Sequence, residues 1–146
     1  MLGSLAAPAV AASAPLAVWA ADDVAKARAQ MASSLDSLDE LLKNFDEIVE
    51  ADGGNGVRRV LGKLGPTSPL HRIDKPANIL ARSLEDDRSF ELIDQFLGEL
   101  DAADGDAYSS IFVPTGGGTT PEYWLARSRK EVTKTRGTLA AILELE

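Results

Sequence analysis

Residues 22–51 read DDVAKARAQMASSLDSLDELLKNFDEIVEA, and this stretch decides the fold class. Apolar residues recur along it at alternating gaps of three and four, with one position missed at Arg28: Val24, Met31, Leu35, Leu38, Leu42, Phe45 and Val49. This spacing lines up one side of an α-helix, while acidic residues fill the other side. The pattern therefore predicts a long helix that buries one face against other helices.

A second helical region follows, and breaks interrupt it. Residues 52–56, with three glycines and an asparagine, are predicted to stop the first helix, because glycine is a poor helix former. Residues 57–64 form a short amphipathic piece, and a helical pattern resumes over residues 70–84. Pro76 lies inside that pattern; it either marks the first turn, with Asp74 nearby as a cap, or kinks the helix.

Two more long helices complete the pattern. One runs from Arg88 to Asp104 and can extend to Phe112, with Ser89 as a candidate cap and an inward face formed by Phe90, Ile93, Leu97 and Leu100. After a glycine-rich loop, the last helix is predicted over residues 121–145, with Thr120 as N-cap and Pro121 in the first turn. Its inward residues are Trp124, Val132, Thr135, Leu139 and Ile142. The sequence thus predicts an all-α, up-and-down four-helix bundle with a kinked or broken second helix.

The first twenty residues differ in composition from the rest. Residues 1–20 are uncharged, small and apolar, and Pro8 and Pro15 are expected to break a membrane-spanning helix. We interpret them as an export leader, with a small-residue cleavage site at Ala20 and the bundle domain over residues 21–146. Ala12-Ser13-Ala14 is a second candidate cleavage site, and an uncleaved membrane anchor is the alternative interpretation. The basic region that normally opens such a leader is missing, which indicates a truncated precursor.

Composition limits the chemistry. The chain has 146 residues, a net charge of −8, no cysteine and one histidine, His71. Thiolate and multi-histidine metal sites are therefore excluded, and a general affinity for nucleic acid is not expected. No Ser-His-Asp arrangement, di-iron Glu-x-x-His motif or haem-attachment motif occurs. A haem held by Met31 and His71 is a minor alternative. We predict a monomer without catalytic residues, metal or organic cofactor.

The stretch GNGVRRVLGKL, residues 54–64, contains glycines, a Gly-Lys pair and two arginines, which are residue types found in phosphate-binding loops. Five residues separate Gly56 from Gly62 where such a loop has four, and Leu64 stands where the magnesium-binding hydroxyl belongs. No strand precedes it. The sequence therefore predicts a helix C-terminus followed by a turn.

Charge is segregated along the chain, and this suggests docking residues. Residues 36–52 and 85–106 are strongly acidic, whereas residues 57–82 are basic. These signs either balance one another within the bundle or form a basic docking edge on an acidic protein. The docking candidates are Arg58, Arg59, Lys63, Arg72 and Lys75, with Tyr123 and Trp124 as aromatic anchors beside the Gly116–Thr120 loop, which we expect to be the most mobile internal segment.

Several segments together resemble a known family. They are AVWAADD (17–23), LLKNFDEIVEADGGNGVRRVLG (41–62), SPLHRIDKPANIL (68–80), DAYSSIF (106–112) and PEYWLARSRKEV (121–132). They are similar to the extrinsic lumenal proteins of photosystem II, above all the PsbQ-like proteins of red-lineage algae and the additional extrinsic subunit of diatoms. The resemblance covers roughly residues 22–145, and its motifs are diffuse helical ones.

The resemblance implies a non-catalytic subunit in the plastid thylakoid lumen, peripheral to the membrane. Such a subunit binds the lumenal core of photosystem II and other extrinsic subunits, protects the manganese-calcium cluster, and retains calcium and chloride. The alternatives are an exported helical-bundle protein that binds another partner or assists assembly, and a small cofactor-binding bundle. The resemblance also implies that residues 54–64 form a hinge after the first long helix. This hinge would present Arg58, Arg59 and Lys63 to a partner.

Overall fold

The protein is all-helical over the part of the chain that this computed structural model describes: the backbone of residues 7–113 and 118–145, and the side chains from residue 21 onward. Its helices are α1 (Ala7–Lys43), α2 (Phe45–Val60), α3 (Asp74–Leu84), α4 (Asp87–Ile111) and α5 (Pro121–Leu143). The all-α prediction is confirmed. The prediction of four helices is not confirmed, since a break at Asn44 divides the first long helix and brings the number to five.

The first long helix bends at Asn44. This residue has φ −108° and ψ 18°, outside helical geometry. The backbone hydrogen bonds from Asn44 N to Glu40 O and from Ile48 N to Asn44 O are nevertheless both 3.0 Å long. Helical bonding therefore continues across the joint, and the first half of α2 extends the apolar stripe of α1. The stripe is buried, as predicted, at Met31, Leu38, Leu41 and Phe45.

The glycine-rich segment interrupts α2 at Gly53 and divides it into two helical halves. Gly53 leaves helical geometry at φ 63° and ψ −148°, a region that only glycine enters without strain. Helical structure resumes at Gly54. A Cβ there would clash with the Ala107 carbonyl oxygen and the Ser110 hydroxyl of α4. The predicted stop within residues 52–56 is confirmed at Gly53, but helical structure resumes at Gly54 rather than at the predicted Val57.

Helix α2 ends at the Gly62–Lys63 pair. Gly62 has φ 84°, its N–H donates to Arg59 O at 3.2 Å, and the N–H of Lys63 donates to Arg58 O at 3.0 Å. This pair of bonds is the Schellman motif, in which a left-handed glycine closes a helix. The predicted helix C-terminus is confirmed.

The helix N-caps predicted from the sequence are confirmed for α5 but not for α3 and α4. Pro76 is buried in the first turn of α3, but Asp74 is the first residue of that helix and makes no cap. Asp86 caps α4 by accepting a 2.7 Å hydrogen bond from Ser89 N, so the assignment of Ser89 as cap was wrong. Thr120 caps α5, as predicted, by accepting from Tyr123 N at 3.2 Å.

Polar contacts fix the helix directions. Helices α4 and α5 pack antiparallel along most of their lengths, with Ser128 Oγ donating to Ala103 O at 2.8 Å. Helix α5 also runs antiparallel to α1. There Arg28, the missed position of the first apolar stripe, donates to the carbonyl oxygens of Leu143 and Leu145, both at 3.3 Å. Arg28 thus satisfies carbonyl groups that the end of α5 leaves without partners.

The core lies among all five helices. Predicted inward residues Ile93, Leu100, Val132, Thr135, Leu139 and Ile142 are buried. Phe90 is instead 45% exposed, and Leu92 and Phe96 fill the core in its place. The rest of the predicted α4 face is right, since Leu97 is half-buried beside Ile93 and Leu100, so only Phe90 in the first turn of α4 was misassigned.

The backbone of α1 is helical from Ala7, so it runs through Pro8 and Pro15. The expectation that both prolines break the helix was wrong: Pro8 lies in the first turn, where no N–H bond is lost, and Pro15 removes a single hydrogen bond. Side chains before residue 21 lie outside the description, and the leader stays a prediction. None of the described helices is both long and apolar enough to cross a membrane.

Exchanging two glycines for alanine tests the α2–α4 contact. We expect Gly54→Ala to lower the free energy of unfolding by about 1–3 kcal/mol, because its Cβ has no room against α4. Gly105→Ala is the control. Its Cβ meets nothing within 4 Å inside α4, so it should raise stability by about 0.5–1 kcal/mol. Urea denaturation measures both, and equal effects would contradict the contact.

Candidate docking surface

The structure divides the seven predicted docking residues into three groups. Arg58, Arg59 and Lys63 lie at the end of α2 and face acidic residues. Arg72 and Lys75 lie at the start of α3 and are exposed. Tyr123 and Trp124 open α5. The seven predicted residues therefore do not form one continuous docking edge, and the three groups are described separately below.

Arg58 belongs to the contact between α2 and α4. Its Nε donates to Asp104 Oδ1 at 2.8 Å, and the two side chains are only 17% and 16% exposed. Its guanidinium also lies 4.9 Å from the centroid of the Tyr108 ring. A half-buried ion pair with a stacked ring fixes two helices together, so Arg58 has a structural role.

The two neighbouring cations are also paired. Arg59 binds Asp52 at 3.1 Å within α2, and both side chains are about half exposed. Lys63 reaches Asp101 on α4 at 2.9 Å. The basic residues of α5 likewise meet acids of α1 and α2: Arg129 with Asp46 at 3.2 Å, and Arg136 with Asp39 at 2.7 Å. Part of the segregated charge is thus balanced between helices.

Helix α3 is different, because its cations point outward. Lys75 and Arg82 are exposed one heptad apart, and Arg72 precedes Lys75 by three residues. The seven-residue spacing places Lys75 and Arg82 on one side of α3, while Arg72 lies in the turn just before the helix. None of the three forms an ion pair within the described part of the chain. We call Arg72, Lys75 and Arg82 the basic stripe. Arg82 was not among the predicted docking residues, although its spacing of seven residues from Lys75 indicates the same side of a helix.

The backbone at Arg72 is held in an unusual conformation. Its φ is 54°, in the left-handed region that non-glycine residues rarely enter. The neighbouring chain is fixed by Gln30 Nε2, which donates to Pro69 O at 2.9 Å, and by His71 Nδ1, which lies 3.2 Å from the Gly62 carbonyl oxygen. His71 is therefore half-buried in a turn before α3, as expected of a helix-start residue.

Tyr123, Trp124 and Arg127 form an aromatic corner at the start of α5. The Tyr123 and Trp124 rings meet edge to face at 5.2 Å, and the Arg127 guanidinium lies 5.7 Å and 5.3 Å from their centroids. Tyr123 is 46% exposed, whereas Trp124 is half-buried. One ring therefore packs and the other faces solvent, as the sequence suggested. Residues 114–117 lie outside the description, so the predicted mobility of the Gly116–Thr120 loop stays a prediction.

Asp106 is a buried acid beside this corner. It is 9% exposed, and Arg127 Nε lies 3.6 Å from its Oδ1. Burial raises the pKa of the Asp106 carboxyl, Arg127 opposes that rise, and nearby Glu131 adds to it. The net pKa is above the ordinary 3.8. No sequence signal marked this residue, because burial depends on the tertiary contact of α4 with α5.

No protein-family model matches this sequence, and neither does any curated protein or solved structure. Within residues 7–113 and 118–145, no group of three or more His, Cys, Asp or Glu side chains is arranged to hold a metal ion. The absence of catalytic residues, metal and cofactor stays a prediction.

The adjacent arginines of α2 provide a matched test of the paired group. We expect Arg58→Met to lower the free energy of unfolding by about 1.5–3 kcal/mol, because it leaves the Asp104 charge half-buried and unpaired. Arg59→Met removes an exposed pair and should cost at most about 1 kcal/mol. Urea denaturation of both variants decides. Equal losses would mean that burial does not distinguish the two pairs.

The raised pKa of Asp106 predicts a pH-dependent substitution effect. The folded protein binds this proton more tightly than the unfolded chain, so stability falls as pH rises from 3.8 through the raised pKa. Asn mimics the neutral acid and lacks this dependence. Relative to the wild type, Asp106→Asn should therefore gain stability between about pH 3 and pH 7. A difference in thermal midpoint that is constant or falls with pH would refute the assignment.

Proposed function

We propose that the protein is a non-catalytic extrinsic subunit, similar to the PsbQ-like proteins, that docks on the lumenal face of photosystem II. In this role it supports oxygen evolution by stabilising the environment of the manganese cluster and by retaining calcium and chloride. It lies in the plastid thylakoid lumen, peripheral to the membrane. Its partners are the photosystem core and other extrinsic subunits.

The basic stripe is the observation that carries the docking proposal. The chain has a net charge of −8, yet α3 and the turn before it present three exposed cations that form no ion pair with the described acids. Exposed charges that do not stabilise their own fold are available to steer a protein onto an oppositely charged partner. The stripe therefore replaces the wider predicted edge as the proposed contact, with Arg72 and Lys75 retained and Arg82 added.

The helix count is compatible with the proposed family architecture. If the chain is divided at Gly53, the described residues form four helical units: α1 with the first half of α2, the second half of α2 with α3, then α4, then α5. The second unit is broken between Val60 and Asp74. We propose that this is the up-and-down four-helix bundle of the resemblance, with one extra break at Asn44.

A second candidate is an exported helical-bundle protein that docks on another partner or assists assembly. The exposed aromatic pair Tyr108 and Phe112, with ring centroids 4.8 Å apart, supports partner binding of either kind. The basic stripe specifies an acidic partner but not its identity. The two candidates therefore differ in the partner: only the first predicts binding to the lumenal face of thylakoid membranes.

Rebinding to photosynthetic membranes tests the proposal. Salt-washed thylakoid membranes are titrated with wild type and with Lys75→Glu/Arg82→Glu, at low and high salt. We expect the double variant to bind about tenfold more weakly at low salt, which corresponds to about 1.4 kcal/mol. Its salt dependence should be flatter, because the steering charges are reversed.

The control is Lys26→Glu/Lys130→Glu, which changes net charge by the same amount at exposed positions on α1 and α5. It should bind nearly as well as the wild type, and both variants should melt normally. An equal loss of membrane affinity in both variants would mean that net charge, and not the basic stripe, determines binding. No saturable binding of the wild type to thylakoid membranes would favour the second candidate.

A further inference from the structure

A groove runs beside the joint of α1 and α2. Two clefts of about 650 Å³ and 340 Å³ share Ser37, Asn44, Ile48 and Val60 in their walls, and therefore form one continuous depression. Helix α1 and the first half of α2 form one wall. The other wall is the second half of α2 with residues 67–69. The bend at Gly53 creates this groove, because it folds the two halves of α2 toward each other.

The floor of the groove is apolar and partly open. Ile48 and Val60 are only half-buried, and each lines both clefts. The half-buried Pro69 adds to the apolar lining of the larger cleft, and the buried Leu41 lies beneath the smaller one. Apolar side chains that line an open depression are positioned to receive side chains from another molecule.

The rim of the groove is acidic. Asp36, Glu40, Glu47 and Asp52 line the clefts and are all exposed. Arg59 is the only base among the described lining residues, and Asp52 holds it at 3.1 Å. Asp36, Glu40 and Glu47 have no ion-pair partner within the described ranges. The groove therefore combines an apolar floor with a net negative rim, opposite in sign to the basic stripe.

We propose that this groove binds a short basic amphipathic segment of a partner protein. Apolar side chains of the segment enter between Ile48 and Val60, and its Lys or Arg side chains meet the acidic rim. The floor supplies most of the affinity, while the rim charges select the segment and speed its association. With the basic stripe on α3, the protein then has two surfaces of opposite sign and can link an acidic partner to a basic one.

A labelled peptide tests the groove directly. The probe is a fluorescein-labelled 14-residue peptide of leucine and lysine, with all leucines on one helical face, and binding is followed by fluorescence anisotropy. The groove variant is Asp36→Asn/Glu47→Gln. The control is Asp94→Asn/Glu91→Gln, which makes the same chemical change at exposed positions on α4. We expect the groove variant to bind about fivefold more weakly, and the control within about twofold of the wild type.

Two further readouts separate the groove from simple charge attraction. A peptide of the same composition, with its leucines scattered around the helix, should bind more weakly than the probe. Amide NMR shifts on addition of the probe should centre on Asn44, Ile48 and Val60. Equal affinity for both peptides, or equal loss in both protein variants, overturns the proposal.

A second copy of this chain is the competing occupant, since the basic stripe is itself a cationic helix face. Sedimentation of the wild-type protein alone decides this point. A monomer at micromolar concentration agrees with the proposal. A dimer that Lys75→Glu/Arg82→Glu dissociates would make the groove a self-association site, and the proposed foreign segment would be wrong.

Discussion

The close approach of α2 to the backbone of α4 at Gly54 is the constraint on which the rest of the structure depends. A side chain there has no space between Gly54 and the Ala107 carbonyl oxygen. The approach places Arg58 against Asp104 and Lys63 against Asp101, so the acids of α4 neutralise the end of α2. The bend at Gly53 makes the approach possible by redirecting the chain in one residue. The chain then turns again at Gly62, and α3 is free to lie with its cations outward.

Ion pairs within the bundle determine which charged side chains remain unpaired and can contact other molecules. Cations of α2 pair with α4, and cations of α5 pair with α1 and α2, mostly across exposed contacts that contribute little individually to stability. Their larger effect is to set which charges remain for other molecules. The basic stripe beside α3 and the acidic rim beside the Asn44 joint are among the exposed charges that have no ion-pair partner in the described part of the chain. A protein without a described metal cluster can act through such surfaces alone.

The sequence predicted the elements that depend on local pattern. The apolar spacing through Met31, Leu38 and Phe45 identified the first helix, and the Thr120–Pro121 pair identified the start of α5. Features that depend on distant contacts were not predictable. Glycine propensity correctly placed a stop at residues 52–56, but the close contact of Gly54 with α4, where helical structure resumes, could not be read from the sequence. Phe90 lies in the first turn of α4, where apolar spacing gives no information about whether another helix covers it.

The candidate site was predictable only in part for the same reason. The sequence revealed that residues 57–82 are basic, but not which of those cations would find acids on α4. Arg58 and Arg59 are adjacent and chemically identical. One is half-buried against Asp104 and Tyr108, while the other is about half exposed. Consecutive residues of a helix point about 100° apart, which here separates a structural residue from a solvent-facing one, and only the tertiary structure shows which direction meets α4.

Amine footprinting of the lysines, before and after docking, tests the central claim most directly. The rate of acetylation of each lysine is measured by mass spectrometry in the free protein and on rebound thylakoid membranes. The account expects Lys75 to react much more slowly in the bound protein, while Lys63, held by Asp101, and Lys130 on α5 keep their rates. An unchanged rate at Lys75 together with protection of Lys130 would contradict it, and would place the docking surface on α5.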